Sequence, residues 1–297
     1  MSFSTDIRCS AELCMVSGFS GVGKSALVGE LGRPLVHRRG YMAQGKFDQF
    51  QRGTPYSAVA IALRGLAQQW LAEPEERTRE LRDELLAAVA PNAGLLVDLA
   101  PELGHILGPQ PRVPDLPPTE AQNRFHLVFS SFVRVVARER PFVLFLDDLQ
   151  FGDAATLALI RRLSTTRDLP RFLLLGAFRS NEVDVGHPLR LTLDEIADTR
   201  TVHELRLEPL DAEAVDQLVA DTLRIEADEA RELARLLHDT AEGNPFFLIE
   251  MLKTLERDRA IWFATELGRW RWDLEAVRTS GLSTNVVDFV VGNLKKL

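Results

Sequence analysis

The chain has 297 residues, of which 45% are hydrophobic and 26% are charged, proportions that are typical of a soluble globular protein. Its formal net charge of −8 makes nucleic acid and anionic membrane surfaces poor partners. The longest apolar runs, Phe142–Leu146 and Phe172–Phe178, are far too short to span a bilayer, so no membrane contact is expected.

The first fifteen residues carry neither a basic cluster nor the continuous apolar stretch of a secretory signal. Cys9 and Cys14 lie close together, without a second pair of cysteines and without a histidine at ligand spacing. We therefore expect free thiols in a reducing compartment, and hence a cytoplasmic protein.

Short apolar runs alternate with helical patterns over the first two thirds of the chain. The predicted strands are Leu13–Ser17, Tyr41–Phe47, Phe142–Leu146, Phe172–Phe178 and Val202–Leu207. The predicted helices are Lys24–Leu31 (ended by Gly32 and Pro34), several within 57–107, Thr119–Arg138 and one that begins after Asp153. Strands that alternate with helices predict an α/β fold, in which a parallel sheet has helices on both faces.

Beyond Pro209 the pattern changes to helices alone. They are predicted from Asp211, from about Asp228 to Ala241, and at Phe246–Leu255 after the capping pair Asn244-Pro245. We therefore predict a P-loop domain at 1–209 and a smaller all-α lid domain that begins at residue 210. The final helical pattern, Asn285–Leu297, has no later element to pack against. It reads as the truncated start of a winged-helix-like segment, so we expect the chain to be a piece of a longer protein.

A glycine-rich stretch directly after the first predicted strand matches the Walker A pattern G-x-x-x-x-G-K-[ST]. Its residues are Gly18, Phe19, Ser20, Gly21, Val22, Gly23, Lys24 and Ser25, and Ala26 follows in the predicted helix. Glycines leave backbone N–H groups accessible to phosphate oxygens, and the next helix points its positive end at them. Lys24 is predicted to neutralise the β- and γ-phosphates, and the Ser25 hydroxyl to ligate Mg²⁺. A plain glycine-rich turn would not need the strand and helix predicted on either side.

Polar residues end the third and fourth predicted strands. In P-loop enzymes a carboxylate at the end of a buried strand holds Mg²⁺, and Asp147 is the first polar residue after Phe142–Leu146. Asp148 is then placed to orient or deprotonate the attacking water. Arg179 lies on the same carboxyl edge, where it could contact the γ-phosphate. The alternatives are that the aspartates merely begin a turn and that the arginine is a solvated loop residue.

Several motifs occur in the order seen in STAND-class P-loop ATPases. They are Walker A, the strand ending in Asp147-Asp148, the arginine of Gly176-Ala-Phe-Arg179, and Gly243-Asn244-Pro245. More closely, the chain resembles the AAA-type, origin-recognition-like ATPase module of large bacterial signalling proteins. In those proteins the module typically follows a serine/threonine kinase domain and precedes GAF and sensor histidine kinase domains. Gly45–Gln49 and Gly243–Phe247 are similar to further motifs of that group.

The resemblance implies a P-loop NTPase fold of the ASCE/AAA-like type, with ATP or ADP and Mg²⁺ as ligands. Gly243 and Pro245 would form the G-x-P turn of the helical lid, with Pro245 near the adenine, and Arg179 would be the sensor arginine. Most AAA enzymes with fast turnover have a glutamate after the Walker B aspartate, whereas STAND switches usually have an aspartate, as at Asp148. The shorter carboxylate leads us to expect slow hydrolysis. No base-reading motif such as N-K-x-D is present, so the sequence leaves open whether the site prefers adenine or guanine.

Our main hypothesis is a regulatory ATP switch. Nucleotide and Mg²⁺ would lie between the α/β core and the lid, and the γ-phosphate would shift the equilibrium position of the lid. Its output would be a surface for a flanking kinase or sensor domain, or for a nucleotide-dependent homo-oligomer. One rival is a mechanically active AAA ATPase such as a DNA loader, which the acidic charge balance disfavours. Another is a scaffold that binds nucleotide without cleaving it.

Overall fold

The computed structural model of the chain describes residues 11–50, 54–166 and 168–279. The chain forms two compact units. The first contains the chain up to Gly18 together with Lys24–Arg206, and the second contains Phe19–Gly23 together with the chain from Leu207 onward. The sequence predicts a boundary at residue 209, with Phe19–Gly23 inside the P-loop domain. In the structure, Phe19–Gly23 group with the second unit. Cys9 and the helix predicted at Asn285–Leu297 lie outside the described residues.

The first unit is built on a five-stranded sheet. Its strands are β1 (Glu12–Gly18), β2 (Tyr41–Lys46), β3 (Phe142–Asp147), β4 (Phe172–Arg179) and β5 (Val202–Leu207). Their order in the sheet is β2-β3-β4-β1-β5, and the pairs β2–β3, β3–β4 and β4–β1 are parallel. The predicted strands and the predicted α/β class are therefore confirmed.

Helices connect these strands along the chain. They are α1 (Lys24–Gly29), α2 (Gly32–His37), α3 (Ser57–Leu71), α4 (Glu75–Val89), α5 (Gly94–Leu99), α6 (Gly104–Leu107), α7 (Pro118–Glu139), α8 (Ala154–Thr165) and α9 (Pro188–Ala197). The prediction that Gly32 and Pro34 end a helix is wrong, because α2 begins at Gly32. Pro34 is tolerated there because N–H groups of a first helical turn have no intrahelical acceptor.

The strand register brings the carboxyl ends of four strands to the same edge of the sheet. Lys46, the last residue of β2, pairs with Asp147, the last residue of β3. Gly18, the last residue of β1, pairs in the same way with Arg179, the last residue of β4. Open α/β sheets bind ligands at this edge, so the register alone brings chemically useful side chains to one place.

Burial explains why the middle of the sheet is apolar. All six residues of β3 are buried, as expected for a parallel strand that is covered on both faces. On β2, a Cβ atom at Gly45 would lie 1.8 Å from the carbonyl oxygen of Ala58, so only glycine lets α3 approach this closely. The apolar core between sheet and helices includes the fully buried rings of Trp70, Phe129 and Phe132. The ends of β2 and β3 are fixed relative to each other by the parallel pairing of the two strands.

The second unit contains helices and one small hairpin. Its elements are α10 (Ala212–Leu223), α11 (Ala227–Ala241), α12 (Pro245–Arg257), β6 (Ile261–Ala264), β7 (Arg269–Trp272) and α13 (Leu274–Thr279). The antiparallel pair β6–β7 departs from the prediction of helices alone, because strands of four residues are too short for alternation to be recognised. Among the described helices of the whole chain, none has the length and apolar character needed to cross a membrane.

Candidate functional site

The predicted phosphate-binding loop connects β1 to α1, as the motif requires. Gly21 and Gly23 have φ angles of +79° and +100°, values that L-residues with a side chain rarely adopt. At Gly23 an added Cβ would meet nothing within 4 Å, so the glycine is required by the backbone conformation and not by lack of space. Val22 is buried, whereas Phe19 and Ser20 are exposed. The conformation of this loop therefore depends on glycine at Gly21 and Gly23.

Lys24 begins α1 and is buried, with only 7% of its surface exposed. Its Nζ donates a hydrogen bond to the carbonyl oxygen of Gly18 at 3.0 Å, which keeps the ammonium beside the loop. Burial lowers the pKa of Lys24, and the nearby carboxylates Asp147 and Asp148 oppose that shift. A buried ammonium is a strong attractor for phosphate. Ala26 follows in the same helix and is exposed.

Ser25 and Asp147 are brought together from opposite parts of the chain. The Ser25 hydroxyl donates to Asp147 Oδ2 at 2.8 Å, and Asp147 Oδ1 accepts from the backbone N–H of Asp148 at 2.9 Å. A hydroxyl and a carboxylate oxygen are the protein ligands that Mg²⁺ uses when phosphates and water complete its coordination. Within the described residues there is no cluster of His, Cys, Asp and Glu able to hold a metal alone. The residues therefore fit a magnesium ion that arrives with a nucleotide.

Asp148 adopts the left-handed conformation, with φ of +53° and ψ of +44°. Its carboxylate is almost fully buried and lies 3.0 Å from Lys46 Nζ and 3.6 Å from Arg179 Nε. Burial raises the pKa of Asp148, but hydrogen bonds from Lys46 and Gln150 and the charges of Lys46 and Arg179 outweigh it, so the pKa falls below its usual value. Asp148 is thus a buried carboxylate that is held by a lysine, a glutamine and an arginine.

Arg179 ends β4 beside this carboxylate. Its Nη1 donates to Glu182 Oε1 at 2.8 Å, and its guanidinium lies 5.9 Å from the centre of the Phe151 ring. The structure thus places Arg179 near Asp148, on the edge where it was predicted. Its role as a sensor of the γ-phosphate stays a prediction.

In the second unit, the turn Gly243-Asn244-Pro245 contacts the tip of the phosphate-binding loop. Asn244 Nδ2 donates to the carbonyl oxygen of Ser20 at 2.8 Å, and its Oδ1 accepts from the backbone N–H of Phe246 at 3.1 Å, capping α12. A Cβ at Gly21 would lie 2.7 Å from that same Oδ1. One amide therefore both caps a helix and holds the loop. Pro245 is the first residue of α12, and its predicted contact with adenine stays a prediction.

Asn244→Ala is expected to lower the free energy of unfolding by about 1 kcal/mol, the usual cost of losing an N-cap. Because the bond to Ser20 is also lost, the amides of 20–23 should exchange their hydrogens faster. Asp211→Ala is the matched control, since Asp211 caps α10 through the N–H of Ala214 and has no described contact with the loop. Urea unfolding should show similar losses for both variants, and hydrogen exchange should separate them. Equal exchange in the loop would contradict the contact.

Sequence reasoning missed Lys46 and Gln150 as site residues. Lys46 lies within the motif Gly45–Gln49 and one residue before the end of the predicted strand Tyr41–Phe47, a signal similar to the one that pointed to Asp147 and Arg179. Gln150 gave no signal of its own, because it belongs to none of the motifs and does not end a predicted strand. Both were identified only from their contacts with Asp148.

Comparison with known proteins gives a family match over more than half of the chain and relatives over nearly the whole chain. The family described as AAA ATPase domain matches residues 4–175, and a domain of unknown function matches residues 211–269. The chain is 29% identical to the hybrid signal transduction histidine kinase G of Dictyostelium discoideum, over 96% of this chain and 10% of that protein. It is 22% identical to the peroxide stress-activated histidine kinase mak3 of Schizosaccharomyces pombe, over 89% of this chain and 13% of that protein.

The chain thus spans only 10% to 13% of the length of these curated relatives. Among solved structures, the Walker-type ATPase paby2304 of Pyrococcus abyssi aligns with a TM-score of 0.44 and 17% identity, over 96% of this chain and 70% of that one.

Proposed function

We propose that this chain, which belongs to the AAA ATPase domain family, is an ATP-binding, slowly hydrolysing switch module of a signal-transduction protein. The observation that carries the proposal is the 2.8 Å contact between the Ser25 hydroxyl and the Asp147 carboxylate. This contact joins the predicted Walker A loop to the predicted Walker B strand, and a chance glycine-rich turn would have no reason to make it.

Different residues of the site are proposed to bind the phosphates and the magnesium ion. The backbone N–H groups of Gly18–Ser25 and the ammonium of Lys24 bind the phosphates. Ser25 and Asp147 would hold Mg²⁺, which would supply positive charge to the phosphate oxygens. The proposed ligands are therefore ATP, ADP and Mg²⁺.

Asp148 is the proposed proton acceptor of hydrolysis. The oxygen of a water molecule bonds to the γ-phosphorus while the bond from that phosphorus to the β–γ bridging oxygen breaks. ADP leaves with the electron pair of that bond, and a proton of the water passes to the Asp148 carboxylate. Arg179, close to Asp148, would stabilise charge on the transferred group. Turnover is expected to be slow, because an aspartate reaches less far than a glutamate.

The switching part of the proposal rests on Asn244. A ligand shifts a conformational equilibrium only if it binds one state more tightly than the other. Because Asn244 holds the Ser20 carbonyl, any change in the loop that accompanies the γ-phosphate alters the cap of α12. ATP and ADP would then stabilise α12 to different extents.

The signalling context comes from the relatives. Their names describe histidine kinases, and this chain corresponds to a small part of each. We propose that the module works with flanking kinase or sensor domains of a longer protein, and that its nucleotide state controls their contact or a homo-oligomer.

The test combines nucleotide binding with hydrogen exchange on the purified chain. We expect calorimetry to show binding of ATP that weakens when EDTA removes Mg²⁺, and GTP measured in parallel decides base preference. We expect a non-hydrolysable ATP analogue and ADP to protect α12 and residues 20–23 differently. Absence of nucleotide binding would overturn the whole proposal, whereas binding with equal protection would overturn only the switch.

A further inference from the structure

Two polar side chains contact the Asp148 carboxylate, one at each of its oxygens. Lys46 Nζ lies 3.0 Å from Oδ2, and Gln150 Nε2 donates to Oδ1 at 3.1 Å. The side chain of Lys46 is 64% exposed, whereas Gln150 is only 7% exposed. Water therefore competes with the lysine contact much more than with the glutamine contact.

The other end of the Gln150 amide is also engaged. Its Oε1 accepts a hydrogen bond from the backbone N–H of Arg179 at 3.2 Å. One buried side chain therefore connects the carboxylate that follows β3 to the last residue of β4. The reversed amide would place two acceptors together and two donors together, so this pair of partners fixes its orientation.

The backbone of Asp148 needs such support. Aspartate enters the left-handed region more readily than most residues, but the conformation is still less favourable than the right-handed one, so hydrogen bonds to the side chain help to hold it. A carboxylate offers about four acceptor positions, so the donors on Asp148 leave room for a water molecule. The donors decide in which direction the remaining lone pairs point.

We propose that Gln150, assisted by Lys46, is a positioning residue that orients the Asp148 carboxylate toward the attacking water and ties it to the end of β4. The inference rests on the proposed function, because it assigns these residues a part in the same hydrolysis. Neither residue needs to touch the nucleotide. A proton acceptor displaced by about 1 Å can lose on the order of 100-fold in rate, so the effect is measurable.

The first test is Gln150→Met, which keeps the length of the side chain and removes both hydrogen bonds. We expect kcat to fall by roughly 10- to 100-fold, while the affinity for a non-hydrolysable ATP analogue stays within about 3-fold. Gln69→Met is the matched control, because Gln69 also bridges main-chain groups, at Met42, but has no described contact with the site. Its kcat should remain that of the wild-type chain.

Because Gln150→Met leaves the N–H of Arg179 without its acceptor, Gln150→Glu is a second variant that retains an acceptor. It places a second carboxylate against Asp148, so it should also lose kcat. Lys46→Met is expected to lose less than Gln150→Met, since the lysine contact is exposed, and Lys46→Arg should recover most of that loss.

A double-mutant cycle separates positioning from a general effect on the fold. If Gln150 acts through Asp148, Gln150→Met should cause no further loss of single-turnover rate in a chain that already carries Asp148→Asn. Additive losses, or Gln150 variants with wild-type kcat, would overturn the inference and leave the proposed function standing. A wild-type chain that binds no ATP, or binds it without cleavage, would overturn both the proposed hydrolysis and the inference.

Discussion

A chain carrying Lys24→Met is expected to bind ATP with Mg²⁺ at least about 100-fold more weakly than the wild-type chain, a loss of about 2.7 kcal/mol. A hydrogen bond to a charged group contributes about 1.5–3 kcal/mol, and a lysine that reaches both the β- and γ-phosphates makes more than one. Calorimetry with a non-hydrolysable ATP analogue measures the change directly. Methionine retains the buried stem of the side chain and removes only the ammonium.

The stability of the nucleotide-free chain should behave differently from the affinity. Burial lowers the pKa of Lys24, so its charged form is less favourable in the folded than in the unfolded chain. For a base with a lowered pKa, this cost is fully present below the folded pKa and disappears as the pH rises to the unfolded pKa. Lys24→Met should therefore melt at the same temperature as the wild-type chain or higher. Weak binding together with an unchanged melting temperature would show that the substitution removes a contact with the nucleotide and does not disturb the fold.

Lys253→Met is the matched control for this variant. Lys253 lies on α12 with a side chain that is 65% exposed, and its pairing with Glu250 is of the surface type that contributes little. Its affinity for the analogue should stay within about 2-fold of the wild-type value. If Lys24→Met bound the analogue within about 3-fold of wild type, Gly18–Ser25 would not be the phosphate-binding site.

The parts of this site that the sequence predicts are those determined by local pattern. The strand β3 is recognisable because it is buried on both faces and so is apolar throughout, and its first polar residue, Asp147, is then at the carboxyl edge. The same reasoning found Arg179. The loop Gly18–Ser25 is recognisable because its backbone conformation requires glycine at fixed places.

The parts that the sequence does not predict depend on which strands are neighbours. Lys46 reaches Asp148 because β2 lies next to β3, and apolar periodicity carries no information about strand order. The hydrogen bonds of Gln150 depend on the turn after Asp148, whose left-handed backbone no local pattern signalled. Asn244 was predicted as a helix cap, and its second bond, to Ser20, links residues 224 positions apart in the chain. Such contacts are properties of the assembled fold.

Asp148→Asn is the variant with the largest expected effect on hydrolysis. General base catalysis typically contributes 10²- to 10⁴-fold, so kcat should fall by about that factor, while the affinity for an ATP analogue stays within about 3-fold. The amide has the size of the carboxylate but cannot accept a proton. Asparagine also tolerates the left-handed conformation of this position well, so the fold should be preserved. Steady-state release of phosphate, normalised to bound nucleotide, is the measurement.

Asp198→Asn is the matched control, because Asp198 is an exposed residue that follows α9 and has no described side-chain hydrogen bond or ion pair. Its rate should equal that of the wild-type chain. A wild-type rate that survives in Asp148→Asn would remove Asp148 from the role of proton acceptor, and the Gln150 inference would fail with it.

The same pair of rates distinguishes the three hypotheses about this module. A mechanically active ATPase requires many turnovers per second in the wild-type chain, and a scaffold requires no cleavage in either chain. A switch requires slow cleavage that Asp148→Asn abolishes, because the ATP state must last long enough to be read by a partner and must still end. Asp148 suits that requirement, because the donors that hold its carboxylate lower its pKa and so weaken it as a proton acceptor, and because an aspartate reaches less far toward water than a glutamate. Slow hydrolysis would then follow from the geometry of one carboxylate, and the lifetime of the signal would be set at the end of β3.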